Sequence, residues 1–272
     1  LGLVGSEMCI RDREVMQAPL VPNFWRAPID NDNGGGMPRR QGIWKDAGNE
    51  RTLKSVTMVR MHEKVVKVVV AMSLDKVNSS LATNYTVFGN GDVVVDYNFV
   101  AGNGLPDLPR VGMQMQITDQ FDQMQWFGCG PHETYWDRHM GSAVGMYEKS
   151  VKNYFYQYVR PQESNNHWGT QWAQLTNSSG KGIMISSEDA LNFSAWPYTM
   201  DDLQTAKHIN ELPERNLITV NIDHLQMGVG GDDSWSHKAQ PHTEFRIPAQ
   251  NYRYSFRIGP AGSPGSYRLP KF

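Results

Sequence analysis

Short hydrophobic stretches with β-branched or alternating character recur along the chain. Val65–Val70 is β-branched and too short for a helix without caps, and Arg110–Thr118 alternates between apolar and polar side chains. The same kind of pattern occurs at Gly182–Ser186, Leu217–Leu225, Thr243–Ile247 and Tyr252–Ile258. Turn-rich breaks separate these segments at short intervals, which predicts an all-β sandwich rather than βαβ units.

One pair of strands carries its own turn signal. Thr83–Phe88 and Val93–Val100 flank the dipeptide Asn90-Gly91. Asn-Gly supplies the two positive φ angles of a type I′ turn, so the sequence predicts a tight hairpin here.

A single short helix is predicted among the strands. Thr199 stands three residues before Asp202, which is the spacing of a capping box at a helix N-terminus. The helix is expected over Met200–His208 as a surface connector. No fixed-period repeat and no low-complexity linker accompanies these elements.

The first residues differ in character from the rest. Leu1–Arg13 ends in a string that resembles translated sequencing-adaptor read-through, and it lacks the basic start and cleavage signal of a secretory peptide. We therefore expect residues 1–13 to be a non-native leader and residues 14–272 to form one β-sandwich domain. Cys9 then drops out, and neither it nor Cys129 forms the CxxC pattern of a zinc site. A missing genuine N-terminus would leave the cellular location unreadable, whether cytoplasmic or periplasmic.

Composition narrows the classes of partner. The formal net charge is −2 and the pI about 6.5, which argues against nucleic acid or a polybasic membrane contact. No apolar stretch approaches the roughly 18 residues that cross a bilayer. The chain contains 8 Trp residues, which large β cores use, but which also suit carbohydrate surfaces because indole faces match the C–H face of a sugar.

Four segments are polar, aromatic and punctuated by Gly or Pro, unlike loops that merely connect strands. They are Pro22–Gly36 (PNFWRAPIDNDNGGG), Trp126–Gly141 (WFGCGPHETYWDRHMG), Tyr158–Trp168 (YVRPQESNNHW) and Met227–Ser236 (MGVGGDDSWS). In this order they resemble the signature segments of the C-terminal domain of family 2 glycoside hydrolases of the β-galactosidase type. The resemblance runs from about Glu14 to Ile258.

The resemblance implies a fold and a function. The family domain is a large antiparallel supersandwich similar to galactose mutarotases, and it is either the end of a long polypeptide or a separate small subunit. Departures from the family pattern occur at Trp136, where Pro is usual, and at Asn165-Asn166-His167, where a Gly-bearing turn is usual. They bear on loop shape rather than on the identity of the domain.

Trp235 is the strongest candidate site residue. It follows a glycine-rich turn and the polar pair Asp233 and Ser234, so an outward-facing indole is expected. By resemblance to the family, Trp235 stacks on the sugar at the entrance of the catalytic site. A packing role for this Trp is the alternative.

Asp232 and Asp233 invite interpretation as catalytic carboxylates. A retaining glycosidase needs two carboxyl groups about 5–5.5 Å apart across one bond, whereas adjacent residues on an extended chain point to opposite sides. We expect both side chains to bond the glycine-rich backbone instead.

A second candidate is the loop Asp30, Asn31, Asp32, Asn33 and Gly34, at the start of three consecutive glycines. The resemblance places this loop at the pocket mouth, where it is expected to move on sugar binding. The alternatives are a solvated turn held by Arg26, and a calcium loop, for which the later Glu of an EF-hand is missing.

The remaining polar clusters are expected to be structural. His132, Glu133, Asp137 and Arg138 suggest a network of salt bridges and hydrogen bonds that braces a corner, and Arg160 and Glu163 are interpreted in the same way. No catalytic residue and no metal ligand is assigned to this chain.

The resemblance also implies partners. The catalytic carboxylates would lie on a (β/α)₈ barrel outside this chain, in an oligomeric enzyme that cuts terminal β-galactosides such as lactose with Mg²⁺ and Na⁺. Two alternatives stay open. One is a freestanding galactose-binding module, and the other is a mutarotase-like epimerase in which His132 would act with a facing Glu.

Overall fold

The computed structural model describes residues 15–262, and the predicted leader at residues 1–13 lies outside them. The described chain is built mainly from twelve strands with four short α-helices between them. The strands are β1 (Met16–Asn23), β2 (Thr52–His62), β3 (Val65–Leu74), β4 (Ser79–Phe88), β5 (Val93–Val100), β6 (Arg110–Thr118), β7 (Gln123–Gly130), β8 (Ala143–Ser150), β9 (His167–Thr176), β10 (Gly182–Trp196), β11 (Leu217–Gln226) and β12 (Tyr252–Pro260). The helices are α1 (Asp30–Gly34), α2 (Met37–Arg40), α3 (Val151–Tyr154) and α4 (Met200–Thr205).

All strand pairs are antiparallel, in the order β1-β6-β11-β10-β12-β5-β4-β3-β2. A branch leaves this path at β10, which also pairs with β9, and β9 pairs in turn with β7 and β7 with β8. The first part of β10 pairs with β12, whereas Asn192–Trp196 pairs with β11. β10 therefore connects the strands β1, β6 and β11 on one side with the strands β12, β5, β4, β3 and β2 on the other. The expected all-β antiparallel architecture is confirmed.

The core follows from the alternation along the strands. In β6, Met113, Met115 and Ile117 are buried, while the side chains between them are more accessible. At one end of the core, the ring of Phe24 lies 5.7 Å from that of Trp44 and 5.1 Å from that of Phe99. Aromatic side chains bury large apolar areas, so this cluster anchors the segment that follows β1.

Helix α4 forms as its cap predicts. The amide of Asp202 donates to Oγ1 of Thr199 at 3.1 Å, and the Thr199 amide donates to the Asp202 carboxylate at 2.8 Å. The prediction of a capped helix is confirmed, although the helix ends at Thr205 instead of His208.

The predicted hairpin of β4 and β5 is confirmed, but its predicted type I′ turn is wrong. Within the β4–β5 turn only Gly91 has a positive φ, of 93°, and its amide donates to the carbonyl of Phe88. The Asn90 side chain instead accepts a hydrogen bond from the amide of Asp92 at 3.1 Å. Four residues, Gly89 to Asp92, therefore separate the two strands, with Gly91 in the left-handed conformation that permits the strands to pair.

The strand predicted at Thr243–Ile247 is also wrong. Thr243–Phe245 is a 3₁₀ turn, and Ile247 makes only an isolated bridge with Leu108. Five strands had no sequence prediction, namely β1, β2, β7, β8 and β9. Among the described helices, none combines the length and apolarity that crossing a membrane requires.

Candidate functional site

The Trp235 loop is the segment Met227–Ser236 that follows β11. The Trp235 side chain is 80% exposed, whereas Met227 at the start of the loop is buried. An indole this open contributes little to the core of the described chain. The loop thus presents one flat apolar ring to the outside.

Asp233 fixes the backbone beside Trp235. Its carboxylate accepts hydrogen bonds from the amides of Trp235 at 3.2 Å and Ser236 at 3.0 Å, and from Oγ of Ser236 at 2.6 Å. These bonds lower the pKa of Asp233, the Ser236 hydroxyl being the largest cause. The carboxylate is occupied by the turn, as aspartates often are.

Asp232 points elsewhere. Its Oδ1 lies 2.8 Å from Nε2 of His242, and this bond raises the pKa of the imidazole. The expectation that both aspartates bond the glycine-rich backbone is therefore wrong in detail, since Asp233 bonds the residues after it and Asp232 pairs with a side chain. Each carboxylate has its own partner, and the two do not act on one atom.

Asp137 holds the glycine end of the loop. Its Oδ2 accepts the amide of Val229 at 2.8 Å and that of Gly230 at 2.6 Å. Its other oxygen is buried. A single carboxylate from the second signature segment therefore organises the fourth.

Arg26 ties the first segment to the same loop. The guanidinium is fully buried and makes two bonds to the Asp32 carboxylate, at 2.8 and 2.9 Å. It also donates to the carbonyls of Met227 at 2.6 Å and Gly228 at 3.0 Å. Two planar, charge-assisted bonds make this pair a rigid connection.

The predicted pocket-mouth loop is a single helical turn, α1. Asp32 is buried, so the turn is held by Arg26 as expected but is not fully solvated. Asn31 donates to the carbonyl of Val229 at 3.2 Å. A Cβ on Gly34 would overlap the carbonyl oxygen of Ser234, so only glycine permits α1 to lie this close to the Trp235 loop. Movement of Asp30, Asn31, Asp32, Asn33 and Gly34 stays a prediction.

The third segment completes the assembly. Gln162 accepts the amide of Asp30 at 3.0 Å, and the Glu163 amide donates to the carbonyl of Ala27 at 3.1 Å. The Glu163 carboxylate bonds Arg110 at 2.6 Å, and Arg110 also forms an ion pair with Asp223 at 3.2 Å. All four signature segments therefore meet at one place.

Burial dominates the electrostatics beneath the site. It raises the pKa of Asp223 to about 8 against the opposing charge of Arg110, and it also raises the pKa of Glu163. One guanidinium thus faces two carboxyls that water does not reach. The charges of these three side chains are paired with one another inside the protein and are not available to a substrate.

Glu133 and Arg138 brace the neighbouring corner. The Glu133 carboxylate accepts hydrogen bonds from Arg138, from the hydroxyl of Tyr158 and, at 2.7 Å, from the amide of Asn165. Burial, together with the Glu133 charge, raises the pKa of Tyr158 to about 12. The prediction of a bracing network is confirmed for these residues, while His132 is exposed at its edge.

Within residues 15–262, no cluster of three or more His, Cys, Asp or Glu side chains has the arrangement of a metal site. The calcium-loop alternative for α1 loses its support, because Asp32 is already paired with Arg26.

The geometry defines an exposed aromatic surface, in which the indole of Trp235 stands on a braced polar loop. Residues 4–258 match the family described as "Beta galactosidase small chain". This chain belongs to that family.

Relatives show how the chain relates to longer proteins. It is 35% identical over 248 residues to a β-galactosidase of Priestia megaterium (strain DSM 319 / IMG 1521), covering 91% of this chain and 24% of that protein. It is 36% identical over 243 residues to a β-galactosidase of Lactobacillus delbrueckii subsp. bulgaricus, covering 89% and 24%. The chain thus spans about a quarter of the length of the relatives it matches.

Solved structures match this chain at low similarity. A glycoside hydrolase family 97 enzyme from Pseudoalteromonas sp. strain K8 overlaps with a TM-score of 0.48 and 8% identity, over 93% of this chain and 31% of that one. A galactose 1-epimerase from Lactobacillus acidophilus NCFM overlaps with a TM-score of 0.43 and 7% identity, over 77% and 65%. Overlap at this level defines no activity.

Proposed function

We propose that this chain is the C-terminal part of a β-galactosidase that hydrolyses terminal non-reducing β-D-galactosides such as lactose. Membership of the small-chain family and the fourfold greater length of the relatives support this proposal. The catalytic acid/base and nucleophile then lie on a (β/α)₈ barrel, in the same polypeptide or in a large subunit. We call that barrel-bearing remainder the catalytic portion, and we propose that residues 14–272 are one domain docked on it.

The role proposed for this chain is to close the sugar pocket. The observation that carries it is the 80% exposure of Trp235 on a loop held at both ends, by Asp137 and by Asp233. Stacking against the apolar face of galactose removes both surfaces from water. A loop that is already ordered loses little conformational entropy when it does so.

The turn Asp30–Gly34 is proposed to shift at the pocket mouth when galactose binds. Support comes from its contact with the Trp235 loop through Gly34 and Ser234, because motion of either segment is felt by the other. Arg26 would act as the fixed point beneath the moving turn.

Mg²⁺ and Na⁺ are proposed for the complete enzyme, with ligands on the catalytic portion. Such cations would stabilise negative charge near the sugar. The complete enzyme is also proposed to be an oligomer.

The experiment compares this chain alone with the complete enzyme on a chromogenic β-galactoside. We expect hydrolysis only when the catalytic portion is present. Galactosidase turnover by the chain alone would contradict the proposal. In calorimetric titration, sub-millimolar galactose binding by the chain alone would instead support a freestanding module. Catalysed mutarotation of galactose that is lost in His132→Ala would support the epimerase.

A further inference from the structure

Strand β8 and the chain on either side of it carry exposed apolar side chains. Five large hydrophobic side chains are exposed there, on β8 and on the segments that precede and follow it. We call them the β8 patch, and they are Met140, Val144, Met146, Tyr156 and Val159. Met140 is 91% and Val159 84% exposed. Clusters of exposed apolar residues mark interaction sites more often than isolated ones do.

One member of the β8 patch, Tyr156, lines a cavity of about 360 Å³. Tyr154, Tyr156 and Tyr158 line it together with Gly141, which adjoins Met140, while Glu133 and Asn165 bring polar atoms to it. Those polar atoms are already occupied, since the Glu133 carboxylate accepts three hydrogen bonds and the Asn165 side chain bonds the backbone of Tyr154 and Tyr156. The exposed His132 and Arg138 also line the cavity, and Arg138 is bonded to Glu133, so the three tyrosine rings are the lining that an apolar side chain would contact.

Strand β8 is an open sheet edge. Among the described residues it pairs only with β7, so its other side leaves backbone donors and acceptors available. Folded proteins protect such edges, because an unpaired edge next to exposed apolar side chains promotes association. A single partner that binds at β8 would therefore cover both the open edge and the β8 patch.

The loop before β8 connects the patch with the candidate sugar site. Residues 131–142 run from β7 to β8 and carry both Met140 and Asp137. Asp137 holds Val229 and Gly230 in the Trp235 loop. A partner that approaches Trp235 therefore also approaches the loop that carries the β8 patch.

We propose that the β8 patch docks against the catalytic portion of the same enzyme, with an apolar side chain of that portion in the tyrosine-lined cavity. This inference rests on the proposed function, in which Trp235 meets a sugar held by the catalytic portion. About three quarters of each relative lies outside the match to this chain, which supplies polypeptide for such a contact. Anchor residues in pockets are where association energy concentrates.

The test uses the complete enzyme with single cysteines introduced by Met140→Cys or Val159→Cys. Ser178→Cys, in the exposed turn between β9 and β10, is the matched control. Each enzyme is treated with a maleimide, and labelling rates are read peptide by peptide by mass spectrometry. We expect the two patch positions to label at least tenfold more slowly than position 178, while galactosidase activity is retained.

The outcomes separate the two proposals. If the active enzyme labels at positions 140 and 159 as fast as at position 178, the docking inference is overturned and the proposed function stands. If the complete enzyme has no galactosidase activity, the proposed function fails. Protection that disappears when the enzyme is diluted to single copies would assign the patch to a second copy, which also overturns the inference.

A charge placed in the patch gives an independent check. Val159→Asp should weaken the association between the catalytic portion and this chain, because a buried unpaired carboxylate is costly. We expect the fraction that co-purifies to fall at least fivefold, with unchanged far-ultraviolet circular dichroism. Co-purification equal to that of Ser178→Asp would contradict the inference.

Discussion

The link between Asp137 and the Trp235 loop can be tested by removing the carboxylate. In Asp137→Ala the amides of Val229 and Gly230 lose their shared acceptor. A hydrogen bond to a charged group contributes about 1.5–3 kcal/mol. Because water reaches Gly230 and weakens its bond, we assign about 2–3 kcal/mol to the two hydrogen bonds together as the free energy that orders the loop.

The expected effect on catalysis has an upper limit. Stacking of one indole on a sugar is worth about 1–2 kcal/mol, which is less than the ordering energy that Asp137 supplies. Asp137→Ala should therefore remove nearly all of the Trp235 contribution and no more. At about 1.4 kcal/mol per factor of ten, kcat/KM of the complete enzyme falls about 5–30-fold.

The assay is a double-mutant cycle on kcat/KM with a chromogenic galactoside. Asp137→Ala combined with Trp235→Ala should be no slower than Trp235→Ala alone. Asp137→Asn keeps an acceptor oxygen and should recover most of the activity. Asp119→Ala, which breaks only an exposed pair with Lys152, is the control and should change nothing. Additive losses from the two substitutions would refute the reasoning.

Two further predictions concern packing and pH. Gly34→Ala places a Cβ against the Ser234 carbonyl, which should cost about 1–3 kcal/mol in local strain and lower kcat/KM of the complete enzyme. The control Gly42→Ala should be neutral, because a Cβ there meets no neighbouring atom. Equal activities of the two variants would contradict the close approach of Gly34 to Ser234. Burial lowers the pKa of His167 to about 3, below its value in the unfolded chain, so the unfolded state takes up the proton first and stability is lost as the pH falls below about 6.5. Between about pH 7 and 5 this one group should lower the free energy of unfolding, measured in urea, by about 2 kcal/mol. His167→Gln should remove this loss, whereas the exposed control His208→Gln should keep it. Identical pH slopes in the unsubstituted protein and both variants would show that His167 is not a buried neutral imidazole.

The strands that were predicted best are those with one buried face. β6 matches its prediction at both ends because its alternation records which side chains enter the core. β2 and β8 are edge strands that are exposed at most positions, so their sequences lack an alternation from which a buried face could be predicted. The residues Thr243–Ile247 alternate as well, but no neighbouring strand is available there beyond one bridge to Leu108.

The features of the site likewise fall into two groups, those determined by neighbouring residues and those determined by residues far along the chain. The outward orientation of Trp235 follows from the glycines and the Asp233 turn, all within a few residues, and was predictable. The brace from Asp137 was not, because 92 residues separate it from Val229. The tie from Arg26 to Met227 spans 201 residues, and the sequence indicated only its bond to the neighbouring Asp32 turn.

In the complete enzyme, we propose that the indole of Trp235 forms one wall of the galactose pocket. The direct measurement is the inhibition constant of galactose for Trp235→Ala and Trp235→Phe, together with the unfolding midpoint of each variant. Trp235→Ala should raise the constant about 5–30-fold and Trp235→Phe by less than about fivefold, because a smaller ring still stacks. The midpoint should not change, since the side chain is 80% exposed. An unchanged galactose constant in Trp235→Ala would contradict the account.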